Sequence, residues 1–217
     1  MALQELEQHG EKMDEVYRWT RYVYDWTRPL FLFGRDTLVD GLDPPQGGRV
    51  CELGCGTAHN LIRLARRRPD LKIIGVDASQ AMLEVAQRNI LQAGLGDQVA
   101  LVHGYAESYQ PPDAVDAVLF PYSLSMMPEP DLAIQNASGW LREGGAIHLV
   151  DFGDMRGWPA GARKALLGFL NRFEVYPRPE LFESIPDGIE LAAKWRLGGY
   201  CVSATLVPAE AAAFTRR

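Results

Sequence analysis

From residue 49 to residue 152 the chain alternates strand-like and helix-like segments, and this alternation limits its fold more than any other feature. "RVCEL", "KIIGVD", "VALVHG", "VDAVLF" and "AIHLVDF" are short, apolar and mostly β-branched. "NLIRLARRR", "QAMLEVAQRNILQA" and "DLAIQNASGWLR" read as helices between them. Pro69 stops the first helix, Ser79 caps the second and Gly94 ends it, and Gly144-Gly145 ends the third. Alternation of this kind predicts a parallel sheet covered by helices on both faces. The tail differs: "RKALLGFLNRF" predicts a helix, and "ELAAKWRLGGYCVSATLV" predicts two strands folded back at Gly198-Gly199 as an antiparallel hairpin. Ahead of the alternation, residues 12–42 read as helical and unusually aromatic, followed by a Pro-Pro-Gln-Gly-Gly loop at 44–48.

The first strand runs into "VCELGCGTAHN" at 50–60. In a doubly wound sheet, ligands bind outside the carboxyl ends of the strands, near the point where strand order reverses. Gly54 and Gly56 allow a sharp turn and a close approach of ligand to backbone. Asp77 ends the next strand, where a carboxylate can accept hydrogen bonds from both hydroxyls of a ribose. Two ligands answer this description, a dinucleotide and S-adenosylmethionine. The dinucleotide fingerprint wants a third glycine, and here that position is His59. Glu52 at the strand end would repel a pyrophosphate but suits an amino group and a sulfonium. The residues therefore favour S-adenosylmethionine over a nicotinamide cofactor. A nicotinamide-dependent oxidoreductase and a non-catalytic cofactor-binding module stay as alternatives.

"VCELGCGTAHN", "GVDAS", "HGYAES" and "VDAVLFPYSLSMMP", in that order, resemble the class I S-adenosylmethionine-dependent methyltransferases. The resemblance implies an α/β fold with a doubly wound, seven-stranded, mostly parallel sheet, the Rossmann-like methyltransferase fold, and a C-terminal antiparallel hairpin. It implies one domain over 1–217: an N-terminal helical lid at 1–43, a cofactor-binding core at 49–152, and a helix with the hairpin at 153–217. Gly54, Cys55 and Gly56 would face the methionine moiety, with Glu52 near its amino group and Asn60 beside it. Asp77 would hold the ribose, and Ala78, Ser79 and Met82 would flank the adenine. Tyr105, Ala106 and Glu107 would meet the adenine edge, Phe120 and Pro121 would close the pocket, and Tyr24 and Arg35 would reach the cofactor from the lid. Many relatives carry Asp where this chain has Tyr105, so the adenine amino group falls here to Glu107 or to backbone.

The acceptor site is expected from segments outside the common sheet. "YRWTRYVYDWTRPLFLFGRD" crowds Tyr17, Trp19, Tyr22, Tyr24, Trp26, Phe31 and Phe33 between Arg18, Arg21, Arg28 and Arg35. Aromatic faces attract a cationic amine, and arginines hold carboxylate or phosphate. The same stripe also suits an amphipathic helix packing on the domain. "YDWTRPLFLFGRD", "VDFGD" and "VYPRPEL" resemble the N-methyltransferases of bacterial betaine-lipid synthesis, which methylate the amine of diacylglyceryl-homoserine. That narrower resemblance implies N-methylation of an amine-bearing lipid headgroup, with Trp19, Trp26, Arg28, Tyr122 and Asp151 on the substrate side. A soluble amine or a quinone-like ring is the alternative acceptor. Candidates for a proton acceptor are Tyr24, Tyr122 and Asp151, with His148 and Asp154 near the same strand ends. His148 also fits a satisfied core histidine, and Asp154 a solvated loop acid.

Net charge of -6 disfavours nucleic acid as a partner. Cys51, Cys55 and Cys201 have no framework spacing and offer no metal set, which fits a reducing cytosol. The polar, acidic start "MALQELEQHGEKMDE" does not read as a signal peptide, so a cytoplasmic location is expected. "RLARRRP" reads as a solvated helix face, or as a basic patch for peripheral contact with the inner face of the membrane.

Overall fold

The computed structural model describes residues 31–182 and 189–208. Seven strands form one sheet: β1 (Arg49–Leu53), β2 (Lys72–Asp77), β3 (Val99–His103), β4 (Val115–Pro121), β5 (Leu141–Phe152), β6 (Ile189–Arg196) and β7 (Cys201–Pro208). Their order across the sheet is β3-β2-β1-β4-β5-β7-β6. The first five run parallel, and β7 pairs antiparallel with both β5 and β6. The expected architecture, with its C-terminal antiparallel hairpin, is therefore present. Order reverses between β1 and β4, so the strand ends there open the crevice in which such sheets bind ligands.

Five helices are described: α1 (Arg35–Asp40), α2 (His59–Arg67), α3 (Gln80–Gln92), α4 (Pro130–Ser138) and α5 (Ala160–Leu170). Apolar residues of α2 and α3 pack with one face of the sheet, among them Leu61, Leu64, Leu83 and Ile90 against Val50, Ile73 and Leu119. Those of α4 pack with the other, through Ala133, Ile134 and Ala137 beside Val118, Phe120 and Leu149. A third cluster joins Tyr122, Phe152, Leu170 and Tyr200 at the carboxyl end of the sheet. The close fit of α2 on β2 depends on Gly75. A Cβ there would collide with Leu61 Cδ1 and would lie 2.9 Å from Cys55 Sγ. Gly75 thus supplies the close helix–strand packing that a dinucleotide fold obtains from its third turn glycine.

Three local expectations change. The third sheet helix ends at Ser138, with Gly139 as its C-cap, and does not continue to Arg142. Leu141 already pairs with Val115, and the ladder resumes at Ala117–Ala146. Gly144 (φ 76°) and Gly145 therefore lie in an irregular stretch of β5, not at a helix stop. Before Arg35, residues 32–34 are not helical, because Gly34 adopts a left-handed φ of 84°. Finally, "RLARRRP" is not a free basic patch. Arg63 bonds Asp40 at 2.7 Å, Arg67 donates to the Val39 carbonyl at 3.0 Å, and Arg68 bonds Asp70 at 2.8 Å and the Pro44 carbonyl at 3.0 Å. Those arginines fasten the stretch between α1 and β1 to α2. Exposed ion pairs of this kind contribute little each, but here they also satisfy backbone carbonyls that a loop would otherwise leave to water.

Gly75→Ala is expected to destabilise the protein by about 1–3 kcal/mol, the usual cost of forcing extra volume into a packed core. Urea unfolding of the variant against the parent measures it.

Candidate active site

A cavity opens at the carboxyl ends of β1, β2 and β4, where the chain turns into α2 and α3. The turn after β1 folds back on β2: the amides of Gly54 and Cys55 donate to the Val76 carbonyl at 2.9 and 3.1 Å. The Gly56 amide donates to Asp77 Oδ2 at 2.7 Å, and the Ser79 amide to Asp77 Oδ1 at 2.9 Å. One carboxylate therefore ties the first turn to the second. Gly54 has φ 75°, and a Cβ on it would lie 2.5 Å from Ser123 Cβ, so the turn approaches the segment after β4 as closely as glycine permits. Ser79 caps α3, its hydroxyl accepting from the Met82 amide at 3.2 Å.

Glu52 is fully buried at the floor, and its Oε1 accepts from Asn60 Nδ2 at 2.8 Å. Burial, and then the charges of Asp77 and Glu52, push the Cys55 thiol well above its ordinary range, so it stays a neutral wall. Burial also raises the pKa of Glu107. Ser123 Oγ is buried and has no hydrogen-bond partner among the described residues. Tyr122 holds the left-handed φ of 62° directly after β4. Its hydroxyl donates to the Phe33 carbonyl at 2.6 Å, and burial raises its pKa far above the usual phenol value. Tyr200 likewise donates to the Phe31 carbonyl at 2.8 Å. These two tyrosines pin residues 31–33 beside the cavity, and Leu32 forms part of its wall.

The structure brings most of the sequence-selected residues together. Arg35, Glu52, Gly54, Cys55, Gly56, Asn60, Asp77, Ala78, Ser79, Met82, Tyr105, Ala106, Glu107, Pro121 and Tyr122 all line the cavity. Phe120 does not: it is wholly buried in the core on the α4 side, because its neighbour Pro121 takes the strand-end position. Asp151 does not line the cavity either. It is buried, and its carboxylate accepts the amides of Ser125 at 3.0 Å and Phe152 at 2.7 Å. Desolvation raises its pKa to about 6. His148 lies half-buried in β5, 3.4 Å from Thr205 Oγ1, and Asp154 is engaged by Arg156. Trp19, Tyr24, Trp26 and Arg28, with most of the expected lid, fall outside the described residues. Ser123, Met126 and Met127 also line the cavity and were not singled out, although "YSLSMMP" directly follows the fourth strand.

The donor and acceptor set fits S-adenosylmethionine. The cavity presents the carboxylates of Glu52, Asp77 and Glu107 to a ligand rich in N–H and O–H donors and carrying a cation. Those carboxylates would repel a pyrophosphate, and Asp77 already occupies the Gly56 amide at the turn where a dinucleotide fold presents backbone N–H groups. Among the described residues no cluster of side chains could hold a metal ion.

Residues 50–145 match a family model described as a methyltransferase domain. The chain is 30% identical over 154 residues to a phosphatidylethanolamine N-methyltransferase of Cereibacter sphaeroides, covering 65% of this chain and 74% of that protein. It is 32% identical over 110 residues to a ubiquinone biosynthesis O-methyltransferase of Paracidovorax citrulli, covering 50% of this chain and 45% of that protein. In fold it is similar to the YcgJ protein from Bacillus, with a TM-score of 0.64, 16% identity, and coverage of 82% of this chain and 98% of that one.

Asp77→Ala is expected to weaken S-adenosylhomocysteine binding by roughly ten- to a hundredfold, from the loss of charge-assisted hydrogen bonds worth about 1.5–3 kcal/mol each. Calorimetric titration measures this, with thermal unfolding run alongside because the same carboxylate holds the turn. Asp151 gives a pH signature. Its folded pKa of about 6 lies above the ordinary 3.8, so the folded chain keeps a proton that the unfolded chain releases. The stability this group contributes is full below about pH 4 and is lost as pH rises through 6. Asp151→Asn should flatten that part of the fall, as read by urea unfolding across the same range.

Proposed function

The chain belongs to the class I S-adenosylmethionine-dependent methyltransferases, and on that premise we propose that it N-methylates an amine-bearing lipid headgroup such as diacylglyceryl-homoserine. The observation that carries this reading is the reach of the match to the phosphatidylethanolamine N-methyltransferase. It covers 65% of this chain, more than the stretch 49–152 can supply, and so extends beyond the common sheet into segments from which we expect the acceptor site to come. The match to the O-methyltransferase covers 50% of the chain, about the size of the cofactor half alone.

S-adenosylmethionine is the cofactor; when bound, it would supply an electrophilic methyl carbon, to which an acceptor amine nitrogen would bond as the C–S bond breaks and S-adenosylhomocysteine leaves. In our reading Glu52, oriented by Asn60, receives the cofactor's amino group, Asp77 the ribose and Glu107 the adenine edge. Arg35 and Leu32 close the wall from the N-terminal side. Tyr122 orients rather than titrates, because its hydroxyl is committed to the Phe33 carbonyl and its acidity is suppressed by burial. An acceptor nitrogen attacks only as the neutral amine, and its proton passes to water at the mouth of the cavity. The chain's contribution is then orientation and exclusion of water around the reacting atoms.

A quinone-like phenol is the second reading, favoured by the match to the ubiquinone O-methyltransferase. The test is methyl transfer from labelled S-adenosylmethionine to diacylglyceryl-homoserine, to phosphatidylethanolamine and to a catechol, each in detergent micelles. Label in a lipid amine is expected. Label in the catechol alone would overturn the proposal.

A further inference from the structure

Nine large apolar side chains are exposed among the described residues, and six of them, Phe31, Phe33, Trp158, Phe169, Tyr176 and Leu197, lie around residues 31–33 and the loops at the carboxyl end of β5. Phe31 and Phe33 flank Leu32, which lines the cavity. Phe31 meets Phe169 at 6.3 Å between ring centres, Phe33 stands edge-on to Tyr200 at 5.6 Å, and Trp158 stacks on Tyr200 at 5.8 Å. The Trp158 indole donates to the Leu197 carbonyl at 2.8 Å. The Tyr176 amide bonds the Ser125 carbonyl at 2.8 Å, one residue from the cavity-lining Met126. Most of the exposed apolar surface is thus gathered at one end of the molecule, and a contiguous exposed apolar patch of this kind marks an interaction surface.

The charge there is the reverse of the whole chain's. Residues 155–173, "MRGWPAGARKALLGFLNRF", hold Arg156, Arg163, Lys164 and Arg172 and no acid, in a protein of net charge -6. Arg156 is engaged by Asp154 and lies over the Trp195 ring. Arg163 and Lys164 are exposed on α5, and Arg172 is exposed just beyond it. The acids beside this segment are already engaged, Asp154 by Arg156 and Glu174 by the Tyr176 hydroxyl at 3.3 Å. Exposed rings beside exposed cations complement an anionic lipid surface. Three of the four arginines of "RLARRRP" are instead committed to Asp40, Asp70 and backbone carbonyls.

We infer that this aromatic and basic face docks on an anionic bilayer and sets the mouth of the cavity against the headgroups. The inference rests on the lipid-acceptor reading for its purpose, since a headgroup amine would then enter past Leu32 without leaving the layer.

The test is co-sedimentation of the full chain with vesicles of phosphatidylcholine, with and without phosphatidylglycerol. Binding to the anionic vesicles is expected, weakening with salt, and little to phosphatidylcholine alone. Phe169→Ser, and separately Lys164→Glu with Arg172→Glu, should each lower vesicle affinity by about tenfold or more. Thermal unfolding and S-adenosylhomocysteine affinity should stay at the parent's values. No binding by the parent, or variants that bind as well as it does, would overturn the inference. So would a parent dimer that Phe169→Ser converts to monomer, because the face would then be a protein interface. Vesicle binding without methylation of any lipid amine would refute the acceptor alone. Methylation in micelles without vesicle binding would refute the docking face alone.

Discussion

The carboxylate of Asp77 is the point on which the cleft depends. Its two oxygens accept the amides of Gly56 and Ser79, so one side chain fixes the turn after β1 against the turn after β2. Around that pin, the Val76 carbonyl takes the amides of Gly54 and Cys55. Gly54 then lies against Ser123 with no room for a Cβ. Three loops from strands distant in sequence are thereby held at hydrogen-bonding or van der Waals distance, which gives a small ligand a preformed wall. The same arrangement explains the choice of ligand class. A turn whose amides already serve a carboxylate is poorly suited to a pyrophosphate and well suited to a ligand with a cation and hydroxyls.

The second constraint comes from the far end of the sheet. Tyr122 and Tyr200 reach across to the carbonyls of Phe33 and Phe31 and fasten the chain ahead of α1 to the cavity wall. Tyr122 does this from a left-handed backbone conformation, a strain that non-glycine residues hold only where surrounding contacts enforce it. Its amide donates to Val150 and its ring packs edge-on against Phe152, 4.7 Å between centres. The β5–β7 end of the sheet thus positions the wall of the cavity at Leu32, as β1 and β2 position the wall at Gly54 to Asp77.

Asp151 and the arginines of α2 show how a side chain's neighbours alter its meaning. At the end of β5 an acid reads as a candidate for catalysis. In the fold, its carboxylate instead satisfies the amides of Ser125 and Phe152. Its raised pKa follows from being buried, not from facing a substrate. Likewise "RLARRRP" reads as solvated or membrane-facing. The fold brings it beside Asp40 and Asp43, a strand and a loop away, while Asp70 holds Arg68 from two positions on, and uses it as a clamp.

The sequence alone determined the strand–helix alternation, the parallel sheet with its terminal hairpin, and the glycine turn with its two acids. These rest on local periodicity and on backbone conformations that few residues adopt, so they are written in consecutive positions. It also singled out most of the residues that line the cavity, because strand ends near the reversal of strand order must face it. Only the tertiary structure decided which acid faces the cleft and which supports a turn. It also decided that Gly75 makes room for α2, that Gly139 and not Gly144 ends α4, and that Phe31, Trp158 and Phe169 gather at one rim. Those outcomes depend on contacts between residues up to 169 positions apart, as between Tyr200 and Phe31. No local pattern encodes such pairs, because packing brings them together only after the sheet has formed.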